Sequence, residues 1–204
     1  MPTLFYPTTS TATYAPTTGE KSTALPSGTQ NSITTYESRY FSPLGTTTDV
    51  IASVSSLAQT AAQSGMLARF TTDPLAAQTI GSGTWTTQVR GTESNANANA
   101  YLGLSIYIWR PSSSSVVGYI YDSAAQLGTE FSGGSGNFQT YNVSGSSVTS
   151  QRGDVLVAEY WYVATQSKSA SYTITEEVGV SDSTYLQAPS NILLATDRRG
   201  IVIS

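Results

Sequence analysis

Six carboxylates stand on strand-like stretches or the connections between them: Glu93, Asp122, Glu130, Glu159, Glu176 and Glu177. Two of them facing one groove would suffice as the acid and the base of a glycoside hydrolase. Glu159 and Glu176 are the pair that the strand pattern offers for this. The competing reading gives each carboxylate a surface position or an arginine partner, and it is the one carried forward. Histidine is absent from the chain, which removes Ser-His-Asp catalysis and the commonest metal ligand. Ser-x-x-Lys does not occur either, so a lysine-activated serine is excluded. Glu93, Asn95, Asn97 and Asn99 gather the oxygen atoms that calcium requires, but they hold one formal charge and lack spaced aspartates. A turn that caps itself is the expectation there. Gly133-Gly134-Ser135-Gly136 is followed by no Lys-Ser or Lys-Thr and reads as a plain loop. No catalytic residue, metal or cofactor is expected, and the chain is read as no enzyme.

Aromatic residues are the more informative set. Tyr107, Trp109, Tyr119, Tyr121, Tyr160, Trp161 and Tyr162 lie on stretches whose two faces both carry bulky groups. Such strands are central in a sandwich or covered by another subunit. The alternative is a platform on which Tyr107, Trp109, Tyr119, Tyr121 and Trp161 stack against sugar rings. A different surface is expected from residues 1–32, where Leu4, Phe5, Tyr6, Tyr14 and Leu25 are the apolar anchors in a segment of Thr, Ser, Pro and Ala. Such a segment buries too little of itself to offset its ordering entropy. It is read as an extended arm lying on a neighbouring subunit, with an arm folded back on its own domain as the alternative.

Strands must position these residues. Leu102, Leu104, Ile106 and Ile108 alternate with Tyr101, Gly103, Ser105, Tyr107 and Trp109, giving one aliphatic and one aromatic face. Pro111 and the serines after it reverse the chain into Val116–Tyr121. Val155–Ala164 is a second apolar strand, with Leu156, Ala158, Tyr160 and Tyr162 on one face. Met66–Thr72, Thr84–Arg90, Asn137–Val143, Ser147–Ser150, Ser171–Val180, Asn191–Ala195 and Ile201–Ile203 add shorter ones. Residues 49–65 are ambiguous: Val50, Val54, Leu57 and Ala61 recur at helical spacing, but Ser, Thr and β-branched residues favour a strand or irregular segment. The reading is an all-β chain, an antiparallel β-sandwich of the jelly-roll kind, with an arm over 1–32 and a sandwich domain over 33–204.

Composition limits the partners. The chain has 204 residues, a net charge of −4 and only 11% charged residues, against about 25% in ordinary soluble domains. No basic cluster exists, so nucleic acid is not expected as a partner. No apolar run approaches the roughly 20 residues of a membrane-spanning helix. The first residues lack a basic, then apolar, export signal, so synthesis and assembly in the host cytoplasm are expected. Cysteine is absent too, leaving no disulfide and no thiol to oxidise.

One resemblance adds to this. Asp73-Pro74-Leu75-Ala76-Ala77-Gln78-Thr79-Ile80 leads to Trp85 and then to Glu93-Ser94-Asn95-Ala96-Asn97-Ala98-Asn99. Ile108-Trp109-Arg110-Pro111, Gly153-Asp154-Val155-Leu156-Val157 and Tyr185-Leu186-Gln187-Ala188-Pro189 follow. Over residues 66–190 this succession resembles a group of tailed-bacteriophage virion structural proteins. The resemblance implies a virion location and a non-enzymatic structural role, decorating or cementing the capsid or attached to the neck or tail. It implies other virion proteins as partners, among them a major capsid, tail or neck protein. A homo-oligomer is expected, a trimer being one order that fits. A receptor- or glycan-binding adhesin module of the virion is the runner-up.

Overall fold

The computed structural model describes residues 2–16, 39–42, 50–55, 63–122, 126–133, 137–164, 172–178 and 184–195. Their strands, in chain order, are β1 (Leu4–Thr11), β2 (Arg39–Ser42), β3 (Val50–Ser55), β4 (Gln63–Thr71) and β5 (Gln78–Ile80). Next come β6 (Gly83–Glu93), a 3-10 turn (Ala96–Ala98), β7 (Ala100–Arg110), β8 (Ser115–Asp122) and β9 (Ser132–Gly133). The series closes with β10 (Phe138–Gly145), β11 (Val148–Ser150), β12 (Val155–Ala164), β13 (Thr173–Val178) and β14 (Tyr185–Gln187).

Eight of these wind as one long hairpin folded over on itself. β3 pairs with β13, β4 with β12, β6 with β10 and β7 with β8, every pair antiparallel. Within the eight, the first strand therefore meets the last, the second the seventh, the third the sixth and the fourth the fifth. That is the jelly-roll winding. Two further pairings, β13 with β6 and β12 with β7, complete the leaves β3-β13-β6-β10 and β4-β12-β7-β8. The all-β sandwich expected from the alternating stretches is the fold observed. A small pair, β5 with β11, lies beside the leaves.

The first strand joins the leaves. Leu4 and Phe5 pair with Gln187 and Leu186 of β14, which itself pairs with β6. From Tyr6 onward β1 pairs instead with β2, whose Arg39 and Tyr40 run parallel to Phe70 and Thr71 of β4. Residues 4–11, assigned to an arm in the sequence, are thus a strand of the domain's own sheet. The reason is visible in the burial: Phe5 and Pro7 are buried while Tyr6 and Thr8 are partly exposed, a strand alternation hidden among threonines. The sheet accordingly begins well before residue 33. Residues 17–32, with Leu25, lie outside the described residues.

The core fills the space between the leaves. Trp85 and Val89 of β6 face Leu102, Leu104, Ile106 and Ile108 of β7 and Leu156, Ala158, Tyr160 and Tyr162 of β12. Each of the leucines, isoleucines and Val89 contributes about 1.5–3 kcal/mol on leaving water. A line of rings crosses from β1 to β12, Phe5 to Phe41 at 6.0 Å, Phe41 to Phe70 at 5.0 Å and Phe70 to Tyr160 at 5.9 Å between centroids. The Tyr160 hydroxyl lies 3.0 Å from Thr87 Oγ1, so its one polar atom is satisfied inside the core.

Local details follow the same logic. The ambiguous stretch is strand over Val50–Ser55 and again from Gln63, with residues 56–62 outside the described set. Asn191–Ala195, expected as a strand, makes only a single bridge, Leu194 to Leu75. Ile192 turns into the core while Leu193 stands 54% exposed. Side chains fasten the segment besides the bridge, Ile192 N donating to Thr3 Oγ1 at 2.8 Å and Leu193 N to Gln78 Oε1 at 3.0 Å. Ile201–Ile203 lies outside the described residues.

Candidate functional site

In leaf β4-β12-β7-β8 the first three strands are buried on the outer face as well as the inner one, and that outer face holds a cluster of buried polar side chains. Arg69 of β4 and Glu159 of β12 sit in register, with 2.9 Å between Nε and Oε1. Their side chains are 2% and 0% exposed. Tyr107 of β7 donates its hydroxyl to the same Oε1 at 2.8 Å. Arg69 Nη1 donates to the carbonyl of Pro16 at 2.6 Å, which brings the chain just beyond β1 onto this face. Ser105, in register with Glu159, is buried beside the pair, and its hydroxyl lies 3.4 Å from Asp122 Oδ1.

Why these residues meet is a matter of sheet register. A charge on a strand with two buried faces cannot reach water, and it is tolerated only with a partner. Arg69 and Glu159 are the lone charges in β4 and β12, and adjacent strands place them opposite each other. The sequence reading did not single out Arg69. The signal was present all the same: one arginine inside Met66–Thr72 and one glutamate inside Val155–Ala164.

Apolar clusters flank this polar centre. Met66, Trp161 and Val163 form one, and Tyr107, Trp109, Val155 and Val157 the other, with Val116 and Tyr119 packed against it. Trp109 and Trp161 are only 5% and 3% exposed. A sugar ring cannot stack on indoles covered in this way, and of the platform of Tyr107, Trp109, Tyr119, Tyr121 and Trp161 only Tyr119 and Tyr121 are partly exposed. Nor do its tyrosines share a side. Register shifts between β7 and β8 set Ile106 opposite Tyr121 but Tyr107 opposite Tyr119. Tyr119 tilts against Tyr107 outside the leaf, 5.6 Å between centroids, while Tyr121 packs on the inner core. Bulges break the period of two, and simple alternation cannot anticipate them.

The other singled-out residues go to separate places. Of the expected arm anchors, Phe5 is in the core, Leu4 and Tyr6 are half-buried in β1, and Tyr14 is exposed beyond it. Among the described side chains, Glu93 and Glu159 do not converge. Glu93 is buried at the end of β6 and its Oε2 accepts the Ala100 amide at 3.2 Å, closing the 3-10 turn. That turn is the self-capping one expected: Asn95 Oδ1 accepts the Asn97 amide at 2.9 Å, and Asn99 ends it in the left-handed region at φ 47°. Glu159 lies on the outer face of the opposite leaf from Glu93. Glu176 and Glu177 run with β13, in register with Gly91 and Arg90. No glycosidase pair is assembled among the described side chains.

Arg110, at the end of β7, grips Asp154 with two bonds, Nε to Oδ1 at 2.8 Å and Nη2 to Oδ2 at 2.9 Å. The Gln151 amide adds a third at 2.8 Å. Burial pushes the Asp154 pKa upward, but the bonds from Arg110 and Gln151 and the arginine charge outweigh it, so the net shift is downward. Tyr40 moves the other way: burial, together with donation to the Asp73 carboxylate at 2.7 Å, raises its phenol above the ordinary tyrosine value.

No family model matches the chain, and no curated protein matches it. Neither comparison therefore places it with tailed-bacteriophage proteins. Among solved structures it is similar to a CocE/NonD family hydrolase from Staphylococcus aureus, 10% identical with a TM-score of 0.47, over 76% of this chain and 34% of that one. A structure of infectious bursal disease virus, Gx strain, matches at 13% identity and a TM-score of 0.27, over 70% of this chain and 39% of that one. The Gt strain matches at 13% and 0.28, over 70% and 38%. The chain thus spans little more than a third of each of these proteins. These likenesses assign it neither an activity nor a partner.

Proposed function

We propose that the chain is a non-enzymatic structural protein of a virion, one that decorates or cements a capsid or sits at the neck or tail. One observation carries this reading. The segments in which the sequence resembles phage virion proteins are the ones that hold the jelly roll together. Arg110 and Asp154 come from two of them, 44 residues apart in the chain, and meet in the bidentate pair. Glu93 from a third closes the 3-10 turn, and Trp85 fills the core. A resemblance concentrated in framework residues fits a protein whose task is to be a stable body, and the ion pairs Arg69–Glu159 and Arg110–Asp154 are spent on that framework.

The mechanism is burial between protein copies. Apolar contact and strand edges would add interface area and so slow disassembly of the particle. The runner-up, an adhesin using Trp109, Tyr119 and Trp161, has both indoles covered and only Tyr119 partly exposed. Particles purified from a producing culture provide the test, by mass spectrometry for this chain and its copy number relative to the major capsid protein. A fixed stoichiometric ratio is expected. Absence from washed particles, with the chain left in the soluble fraction, would sink the proposal.

A further inference from the structure

Each leaf of the sandwich ends in an edge strand, β8 in one and β10 in the other, and the two edges are finished differently. β8 is blunted. Its pairing with β7 shifts register at two places, and Ser146 N donates to its Ile120 O at 2.7 Å. β10 carries none of the devices that keep an edge from pairing with another chain. It runs eight residues in unbroken register with β6, from Phe138 opposite Arg90 to Gly145 opposite Gly83. It contains no proline and no charged residue. Among the described residues, no strand pairs with its second side. Every second residue of an antiparallel strand points its N–H and C=O away from its partner, so β10 directs a row of main-chain donors and acceptors to that side.

The side chains of β10 show what fits there. Phe138, Thr140, Asn142 and Ser144 are exposed, while Tyr141 and Val143 face the core. Thr140 Oγ1 donates to Gln88 Oε1 at 3.0 Å and Thr86 Oγ1 to Asn142 Oδ1 at 2.7 Å, a ladder of hydroxyl–amide pairs across β6 and β10. A second β10, antiparallel and centred on Tyr141, sets Thr140 opposite Asn142 of the second copy and extends that ladder by pairs of the same kind. It also sets the exposed Phe138 opposite Ser144 of the second copy. Ser146, held by Ile120, lies just past this overlap, so the open edge is as long as the strand that would fill it. With no charge on β10, nothing repels across the axis.

We infer that β10 pairs with β10 of a second copy of this chain, antiparallel about a two-fold axis at Tyr141, so that the leaves β3-β13-β6-β10 of two molecules become one sheet. An interface this narrow falls at the low end of sizes, below about 1,200 Å², and the dimer is reversible. The inference concerns the chain by itself and does not depend on the virion role proposed above.

Sedimentation equilibrium of the full chain over a concentration series tests it, and a monomer–dimer equilibrium is expected. Thr140→Lys with Asn142→Lys opposes like charges across the axis and should weaken dimerisation by roughly tenfold or more. Mixing that variant with one carrying Thr140→Glu and Asn142→Glu should restore it. Near-UV circular dichroism checks that each variant is folded. The chain has no cysteine, so cross-linking reads the register. An oxidised equimolar mixture of Thr140→Cys and Asn142→Cys chains should form disulfide-linked pairs, because directly opposed residues lie about 4.5–5.5 Å apart between Cα atoms, within disulfide reach. Each variant alone should cross-link far less, its cysteines being diagonal rather than opposite. A wild-type chain that stays monomeric throughout the series overturns the inference. So does a dimer that the lysine pair leaves intact, or a cysteine mixture that cross-links no faster than its components.

Discussion

Tyr107 and Glu159 meet across adjacent strands at 2.8 Å, on the same carboxylate oxygen that takes Arg69 Nε at 2.9 Å. One oxygen atom therefore ties β4, β12 and β7 together on the outer face of their leaf. Through Arg69 it also reaches the carbonyl of Pro16, so the chain just beyond β1 is fastened to the same knot.

Removing one partner should be far worse than removing both. Glu159→Ala leaves a buried guanidinium without its carboxylate and is expected to cost about 3–5 kcal/mol in chemical denaturation. The double change Arg69→Met with Glu159→Leu should cost clearly less than Glu159→Ala alone, because no buried charge remains. Equal losses in the single and double variants would mean that the knot holds the leaf by packing rather than by charge.

A pH dependence follows from Asp154. Its pKa is lowered in the folded chain, so its contribution is fully present above the ordinary aspartate value of about 3.9 and is lost as pH falls through the lower folded value. Arg110→Gln removes the guanidinium bonds and charge that lower it, leaving only the Gln151 amide against the burial that raises it. The acid-unfolding midpoint followed by circular dichroism should then shift to higher pH. Coincident acid transitions for the two proteins would count against this pair as the acid-sensitive element.

Two glycines should fail for different reasons. A Cβ on Gly145 would lie 2.5 Å from Trp85 Cδ1 and 2.9 Å from Ile120 Cγ2. Gly145→Ala is expected to cost about 1–3 kcal/mol through overpacking. Gly153 has open space but a φ of +96°, so backbone strain alone opposes a side chain there, about 1–2 kcal/mol for alanine. Asparagine should therefore be milder than valine at Gly153, while both are damaging at Gly145. Thermal melts of the four variants decide the matter.

The first strand should behave as part of the fold. Phe5→Ala is expected to cost about 3–5 kcal/mol, and deletion of residues 2–11 should abolish cooperative unfolding of the isolated chain. A deletion variant that melts like the full chain and loses only its ability to join other copies would restore the detachable arm.

The long strands were legible because their residues leave little choice. Leu102 to Ile108 and Leu156 to Tyr162 alternate apolar side chains over enough positions that only a strand buries them on one side. The hairpin at Pro111 and the capped turn at Asn95 were legible for the same local reason, since proline and asparagine act on backbone within a few residues. β1 was not. Phe5 and Pro7 are too few to mark a strand without their partners in β14 and β2, which lie in distant parts of the chain.

The chemistry divides along the same line. Residue types alone removed histidine and cysteine catalysis, set the low charge and demanded that Arg69 and Glu159 find partners if their strands were buried. Which partner each took, which aromatics were covered, and that β10 would stand at the edge of its leaf were decided by the winding of the strands. A side chain's type travels with the sequence, but its neighbours are set by register between segments far apart, and bulges such as those in β8 reset that register where no local pattern records it.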